Sequence, residues 1–272
     1  MLVVLAIVAR VGLPKLLGSL GFHRHYNIPS MDLTGHRALI VTTSHDVLGD
    51  TGKPTGVFAS EMTVPYYAFL DAGMTVDVAS MSGGPIPIER SSLRWPLSSA
   101  ADSRFLADPA FQFQVERSLA IDSVDMNDYD IVFLAGGWGA AYDLGTSAVL
   151  GEKMSDAYAN EAVLGGVCHG PLGLLNARSP DGASLLQGRR VSAVTDQQRQ
   201  ELGITHTPMH PERELRAAGA LFEAENRFRD LFASQVVVDG RIVTGQNQNS
   251  GAEAAHKMME ALLATESDDP GV

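Results

Sequence analysis

The sequence predicts a doubly wound α/β domain, with a mostly parallel sheet and helices on both faces. Three observations lead there. Short apolar, β-branched runs recur along the chain, segments of helical period lie between them, and the turns that follow the runs are rich in glycine. Strands alternating with helices favour a parallel sheet, because each crossover returns the chain to the same end of the sheet. With 272 residues, 45% hydrophobic and 19% charged, the chain is of ordinary globular composition and long enough to bury the core such a domain needs.

The elements follow in order. Arg37 to Thr43 (RALIVTT) reads as a buried strand, being short, apolar and β-branched. Ser60 to Ala72 reads as a helix capped by Ser60, with Met62, Tyr66, Phe69 and Leu70 at helical spacing and Gly73 to stop it. Thr75 to Ser80, Asp130 to Ala135 and Ala162 to Val167 are the next strands, the last running into a helix that begins near Gly170. Arg190 to Thr195, Gln235 to Val238 and Arg241 to Thr244 supply later strands. His210-Pro211-Glu212 opens a helix to Ala218, and Gly251 to Leu263 is a C-terminal helix whose Met258, Met259 and Leu262 face the core. The chain thus divides into an apolar N-terminal segment (1–30), one α/β domain (31–264) and an acidic tail (265–272).

Charge and cysteine usage exclude several functions. The net charge of −12 repels phosphate backbones and argues against nucleic-acid binding. One cysteine can form neither an internal disulfide nor a thiol-rich zinc site. Met1 to Ala9 are apolar, too few to span a bilayer, which takes about 20 residues. No basic residue precedes them as a secretory signal requires. Arg10, Lys15 and Arg24 on the C-terminal side would keep the domain cytoplasmic if residues 1–22 touched a membrane; the alternative is a packed terminal helix.

In doubly wound sheets, reactive groups gather beyond the carboxyl ends of the strands. Three such ends carry unusual residues: Thr42-Thr43-Ser44-His45, Gly136-Gly137-Trp138-Gly139 and Cys168-His169-Gly170. Gly165-Gly166-Val167-Cys168-His169-Gly170-Pro171 has the strand–nucleophile–helix form of a nucleophile elbow, with proline in the first helical turn. A thiol there would feel a helix N-terminus, which favours the thiolate and lowers its pKa. An arbitrary cysteine is more often a small buried hydrophobe; the flanking glycines and adjacent histidine argue otherwise here. Amides from the Gly136–Gly139 loop and from the elbow could form an oxyanion hole. Neither G-x-G-x-x-G nor a P-loop fits the glycine cluster, so no nucleotide cofactor is expected. His206 and His210 are four apart, but Pro208 between them spoils a regular helix and no carboxylate completes a set with His45, so no metal is expected.

Four segments, Gly56-Val57-Phe58-Ala59-Ser60-Glu61, the Gly-Gly-x-Gly loop, Val167-Cys168-His169-Gly170-Pro171 and Thr244-Gly245-Gln246-Asn247, resemble the ThiJ/PfpI superfamily. This superfamily includes the Parkinson-disease-linked deglycase and shares the flavodoxin-like, class I glutamine-amidotransferase-like fold. The resemblance spans about Leu33 to Leu263, in the family's order. The long insert from Gly83 to Asp128 points to the glutathione-independent glyoxalase and chaperone-like branch. The resemblance implies Cys168 as nucleophile, His169 as its following partner, and Glu61 as the carboxyl group beside the thiol, protonated so that two like charges do not oppose each other. It implies an oxyanion hole from the amides of Gly137 and His169, a pocket at Gly136 and Trp138, and a homodimer. Trp138 stands where glyoxalase-like relatives often have histidine, which makes an apolar wall. Asp196 is the candidate acid for His169, while Arg199 occupies a place where some members carry that acid.

The resulting expectation is a stress-response lyase that acts on a small reactive carbonyl, methylglyoxal to lactate, through a Cys168 hemithioacetal. Two other readings use the same thiol: an amidase or peptidase, and a redox sensor or chaperone-like holdase in which Cys168 is oxidised beside Glu61.

Overall fold

The computed structural model describes residues 26–226 and 232–267. Its strands are β1 (Arg37–Thr42), β2 (Thr75–Ser80), β3 (Leu119–Ala120), β4 (Ile131–Leu134), β5 (Val163–Val167), β6 (Arg190–Val191), β7 (Leu221–Phe222), β8 (Val236–Asp239) and β9 (Ile242–Gly245). Its helices are α1 (Ala59–Asp71), α2 (Ala100–Leu106), α3 (Pro109–Glu116), α4 (Ala140–Asp143), α5 (Ala148–Ala159), α6 (Asp196–Glu201), α7 (Pro211–Ala217) and α8 (Gly251–Ser267).

Seven strands form one sheet in the order β3-β2-β1-β4-β5-β9-β8, parallel except for the β8–β9 hairpin. Strand alternation assigns side chains to two cores. Ala38 and Ile40 of β1, with Ile131 and Phe133 of β4, face α1 and α8 through Met62, Phe69, Met258 and Met259. Leu39 and Val41, with Val132 and Leu134, face α5 through Leu150, Met154 and Ala157. The central strands are therefore apolar on both faces, which is why they read as continuous hydrophobic runs. The doubly wound, mostly parallel sheet is the one the sequence predicts.

Several local expectations change. Ser60 does not cap α1: the helix starts at Ala59, and Ser60 is buried in its first turn. The cap comes from the insert, where the Ser92 hydroxyl accepts the Ala59 N–H at 2.9 Å and donates to the Glu89 carbonyl. The segment after β5 is a single 3-10 turn, Gly170–Leu174, rather than an α-helix. Arg190 to Thr195 contributes only β6, which pairs with β7 in a separate two-stranded sheet. At the C-terminus, α8 continues to Ser267, so the acidic tail begins inside the helix. There His36 lies between Asp130, at 3.4 Å, and Glu266, at 3.3 Å. Residues 1–22, weighed from sequence as either a membrane contact or a packed terminal helix, lie outside the described residues; among the described residues no helix is long and apolar enough to cross a membrane.

Candidate active site

The strand order reverses between β1 and β4, and the crevice beyond the strand carboxyl ends at that point is where ligands bind in such sheets. Cys168 follows β5 directly and is buried, with 8% of its surface exposed. Its φ of 61° is the left-handed conformation, disfavoured by about 1–2 kcal/mol for a residue with a Cβ. Two backbone bonds hold it there: the Cys168 N–H donates to the Gly245 carbonyl, and the Cys168 carbonyl accepts the Val194 N–H, each at 3.1 Å. The sharp turn expected of a nucleophile elbow is present, locked by β9 and by the segment before α6.

Glu61 reaches the thiol from the first turn of α1. The start of that helix is held on two sides. The Phe58 N–H donates to the Gly136 carbonyl at 3.4 Å, while the Val57 N–H donates to Pro87 in the insert at 2.8 Å. Glu61 is 1% exposed, and its carboxyl group faces the Cys168 thiol and the N–H groups of Gly136 and Gly137. Its Oε2 has no close hydrogen-bond partner. Burial raises the carboxyl from its ordinary 4.5 to about 8, and the thiol and the two amides offset this only in part.

Gly136 and Gly137 are required by this contact. A Cβ on Gly136 would lie 2.4 Å from Glu61 Oε2 and 2.7 Å from the His169 nitrogen. Gly137 has φ of 101°, and a Cβ there would lie 2.4 Å from the Phe58 nitrogen. Gly136 does not line the cavity, contrary to its assignment to the pocket from sequence. It lies behind the pocket, pressed against Glu61, and its missing side chain is what lets the carboxyl group approach.

The amides of Gly137 and His169 both donate toward the Cys168 sulfur, the two groups expected to form the oxyanion hole. They do not make Cys168 a low-pKa thiol. Burial, followed by the nearby Glu61 carboxyl, pushes the thiol well above its ordinary 9.0. Cys168 is thus held as a thiol rather than as the dipole-stabilised thiolate expected from sequence. The Gly170–Leu174 turn is too short to carry a helix macrodipole, and desolvation is the larger effect.

His169 is fully buried, with Nδ1 3.4 Å from the Cys168 sulfur and Nε2 without a hydrogen-bond partner. Burial, followed by the positive field of Arg199 and the neighbouring His210, lowers it to about 3. Asp196 does not orient it. That carboxylate lies 3.3 Å from His210 Nδ1, 3.5 Å from Arg199 and 3.6 Å from Arg213. Arg199, buried to 4% exposure, donates to His210 Nδ1 at 2.7 Å and to Thr207 and the Ile204 carbonyl. Asp196 is shared among His210, Arg199 and Arg213, so the candidate triad of Cys168, His169 and Asp196 is not assembled. Nor do the other histidines converge. His45 stacks on Tyr142 with ring centroids 3.9 Å apart, and the Tyr142 hydroxyl donates to the His206 carbonyl. Among the described residues no three His, Cys, Asp or Glu side chains are placed to hold a metal.

Cys168, Glu61 and Gly137 line a cavity of about 230 Å³. Trp138 is in its wall, as expected. The remaining lining includes Glu89, Ser91 and Leu97 from the insert, Gln198, Leu202 and Ile204 from α6 and its following turn, and Phe232. Sequence reasoning missed these because they come from segments without strand-end or motif signals. Asn247 and Gln248 also line it, and Asn247 belongs to a motif that could have marked it.

The DJ-1/PfpI family profile matches residues 54–261. A fission-yeast (Schizosaccharomyces pombe) protein named glutathione-independent glyoxalase is 31% identical over 85% of this chain and 98% of its own length. Among solved structures, the Francisella tularensis rapid encystment protein is 31% identical, covering 84% of this chain and 99% of its own, with a TM-score of 0.77. Candida albicans glyoxalase III is 26% identical over 83% of this chain and 97% of its own, with a TM-score of 0.75. The site residues thus stand in a chain that belongs to the DJ-1/PfpI family.

Proposed function

We propose that this protein is a glutathione-independent glyoxalase that converts methylglyoxal and water to lactate at Cys168. The observation that carries the reading is the Glu61 carboxyl group, buried against the thiol and held at about 8. A group that titrates near neutral pH can both take and return a proton, as an internal redox isomerisation needs. His169, lowered to about 3, is too weak a base for that work and contributes its amide instead.

The steps balance without a cofactor. The ionised form of Glu61 takes the thiol proton as the Cys168 sulfur adds to the aldehyde carbon, then passes it to the new oxyanion held by the Gly137 and His169 amides, which leaves a neutral hemithioacetal and a free carboxylate. Glu61 moves the proton from the former aldehyde carbon to the ketone carbon through an enediol. The aldehyde carbon is thereby oxidised to a thioester and the ketone carbon reduced to an alcohol. Water then cleaves the C–S bond, releasing the 2-hydroxy acid and the thiol. The relatives named glutathione-independent glyoxalases support this reading.

An amidase would need an imidazole that titrates near neutrality and an acid to orient it, and His169 has neither. The Glu61–Cys168 contact does favour one second reading, in which Glu61 hydrogen-bonds a sulfinic acid formed on Cys168; mass spectrometry after mild peroxide tests it. The test of the main reading is lactate formation from methylglyoxal with no added thiol. Cys168→Ser and Glu61→Gln should each lose at least about 100-fold in kcat/KM, and lactate formation that survives Cys168→Ser overturns the assignment. Light scattering tests the homodimer expected from the family.

A further inference from the structure

We propose that the cavity over Cys168 selects 2-oxoaldehydes carrying an aryl or other bulky apolar group on the ketone carbon, with Trp138 as the selecting residue. The inference rests on the glyoxalase reading and narrows its substrate class. Size is the first argument. A water takes about 30 Å³ of liquid volume, so the 230 Å³ of this cavity has room for roughly seven or eight, well beyond what a three-carbon dicarbonyl fills.

The second argument is the chemistry of the wall. Phe58, Leu97, Trp138, Leu202, Ile204 and Phe232 line the space beyond the thiol. Several polar lining groups are engaged, while Glu61 Oε2 and Glu89 Oε2 are buried without a hydrogen-bond partner. Gln198 Nε2 donates to the Ala233 carbonyl at 2.9 Å, Asn247 Nδ2 donates to the same carbonyl, and Glu89 Oε1 accepts from the Ser91 hydroxyl at 3.0 Å. Among the described residues the ionisable lining groups are Cys168 and two carboxyl groups, Glu61 and Glu89, with no lysine, arginine or histidine. An anionic substituent would meet carboxyl groups and, among the described residues, no cation, whereas a neutral ring would meet apolar surface.

The third argument is register. Trp138 follows Gly137, whose amide is directed at the sulfur, and the Trp138 carbonyl accepts the Ala141 N–H at 3.2 Å at the start of α4. The Trp138 backbone is therefore anchored next to the amide that faces the sulfur, and its side chain lines the same cavity as Cys168.

The test compares kcat/KM for phenylglyoxal and methylglyoxal in the wild type and in two variants of opposite effect. Trp138→Ala removes the wall and Ile204→Trp fills the space, so intrinsic aldehyde reactivity cancels when ratios are compared between proteins. The wild type should favour phenylglyoxal by roughly tenfold or more, the gain expected from burying a ring, and both variants should lower that ratio at least about fivefold. A wild-type ratio at or below one, or a ratio unmoved in both variants, overturns the proposal. Quenching of intrinsic fluorescence by mandelate and lactate reads the same preference without turnover. If neither aldehyde is consumed the glyoxalase reading fails, and mandelate binding no tighter than lactate then overturns the apolar selection as well.

Discussion

Replacing Glu61 with glutamine should make the protein more stable and inactive, and the stability gain should depend on pH in a defined way. Glutamine matches the shape of the protonated acid but cannot ionise. Glu61 titrates at about 8 in the fold against an ordinary 4.5, so the folded state binds the proton more tightly than the unfolded chain. The stabilisation from that bound proton is therefore complete below about pH 4.5 and is lost as pH rises through about 8. Each unit within that window is worth about 1.4 kcal/mol. Relative to Glu61→Gln, the wild type should be less stable by about 1 kcal/mol at about pH 5 and by about 4 kcal/mol at about pH 8. Urea unfolding of both proteins at several pH values measures the gap. His169, which titrates low and so destabilises the fold under acid, is common to both and cancels. A gap that stays flat from about pH 5 to 8 would refute the buried, raised carboxyl, and with it the choice of Glu61 as the proton carrier. An active site that stores destabilisation in this way is what a trade-off between stability and function looks like at one residue.

Other consequences can be checked separately. Gly136→Ala places a Cβ 2.4 Å from Glu61 Oε2; it should destabilise by about 1–3 kcal/mol and, by moving the carboxyl group, reduce kcat/KM far more than KM alone would explain. Ser92→Ala removes the external cap of α1 and should cost about 1–2 kcal/mol in thermal or urea unfolding, with a fall in activity although Ser92 does not line the cavity. Arg199→Met should raise the pKa of His169, followed by imidazole NMR, yet leave it below its ordinary 6.5 because burial is the larger cause. An unchanged or lower value would mean that the Arg199 field does not reach His169.

Much of the fold is legible because the central strands have no polar face. RALIVT, IVFL and VLGGV are buried on both sides, so each shows as an unbroken run between glycine-rich turns. What the sequence hides are elements whose stability comes from elsewhere. β3, β6 and β7 are two residues each, too short for any periodicity, and exist through their pairing partners. α2 and α3 lie in the insert, where polar capping at Ser99 and Asp108 defines them more than an apolar stripe does. The cap of α1 shows the same limit. Ser60 has the right identity but lies inside the helix, while the hydroxyl that performs the role is that of Ser92, 33 residues beyond the Ala59 amide it caps.

The site divides along the same line. Cys168, His169, Gly137 and Trp138 lie at strand ends, where local sequence predicts position, and the structure brings His169 and Gly137 into contact with the Cys168 sulfur. Asp196 fails because identity and nearness in sequence do not decide which cation a carboxylate meets; Arg199, Arg213 and His210 all lie closer. The pKa of the thiol fails for a deeper reason. A strand-to-helix turn suggests a dipole, and a dipole suggests a thiolate, but this turn has only five helical residues and the sulfur is out of water. Once desolvation exceeds the local dipole, the thiol keeps its proton until a partner removes it. The neighbour able to do so is not the adjacent histidine, lowered to about 3, but Glu61, raised to about 8 by the same burial. One environment pushes an acid up and an imidazole down, and that divergence assigns the proton chemistry to the carboxyl group.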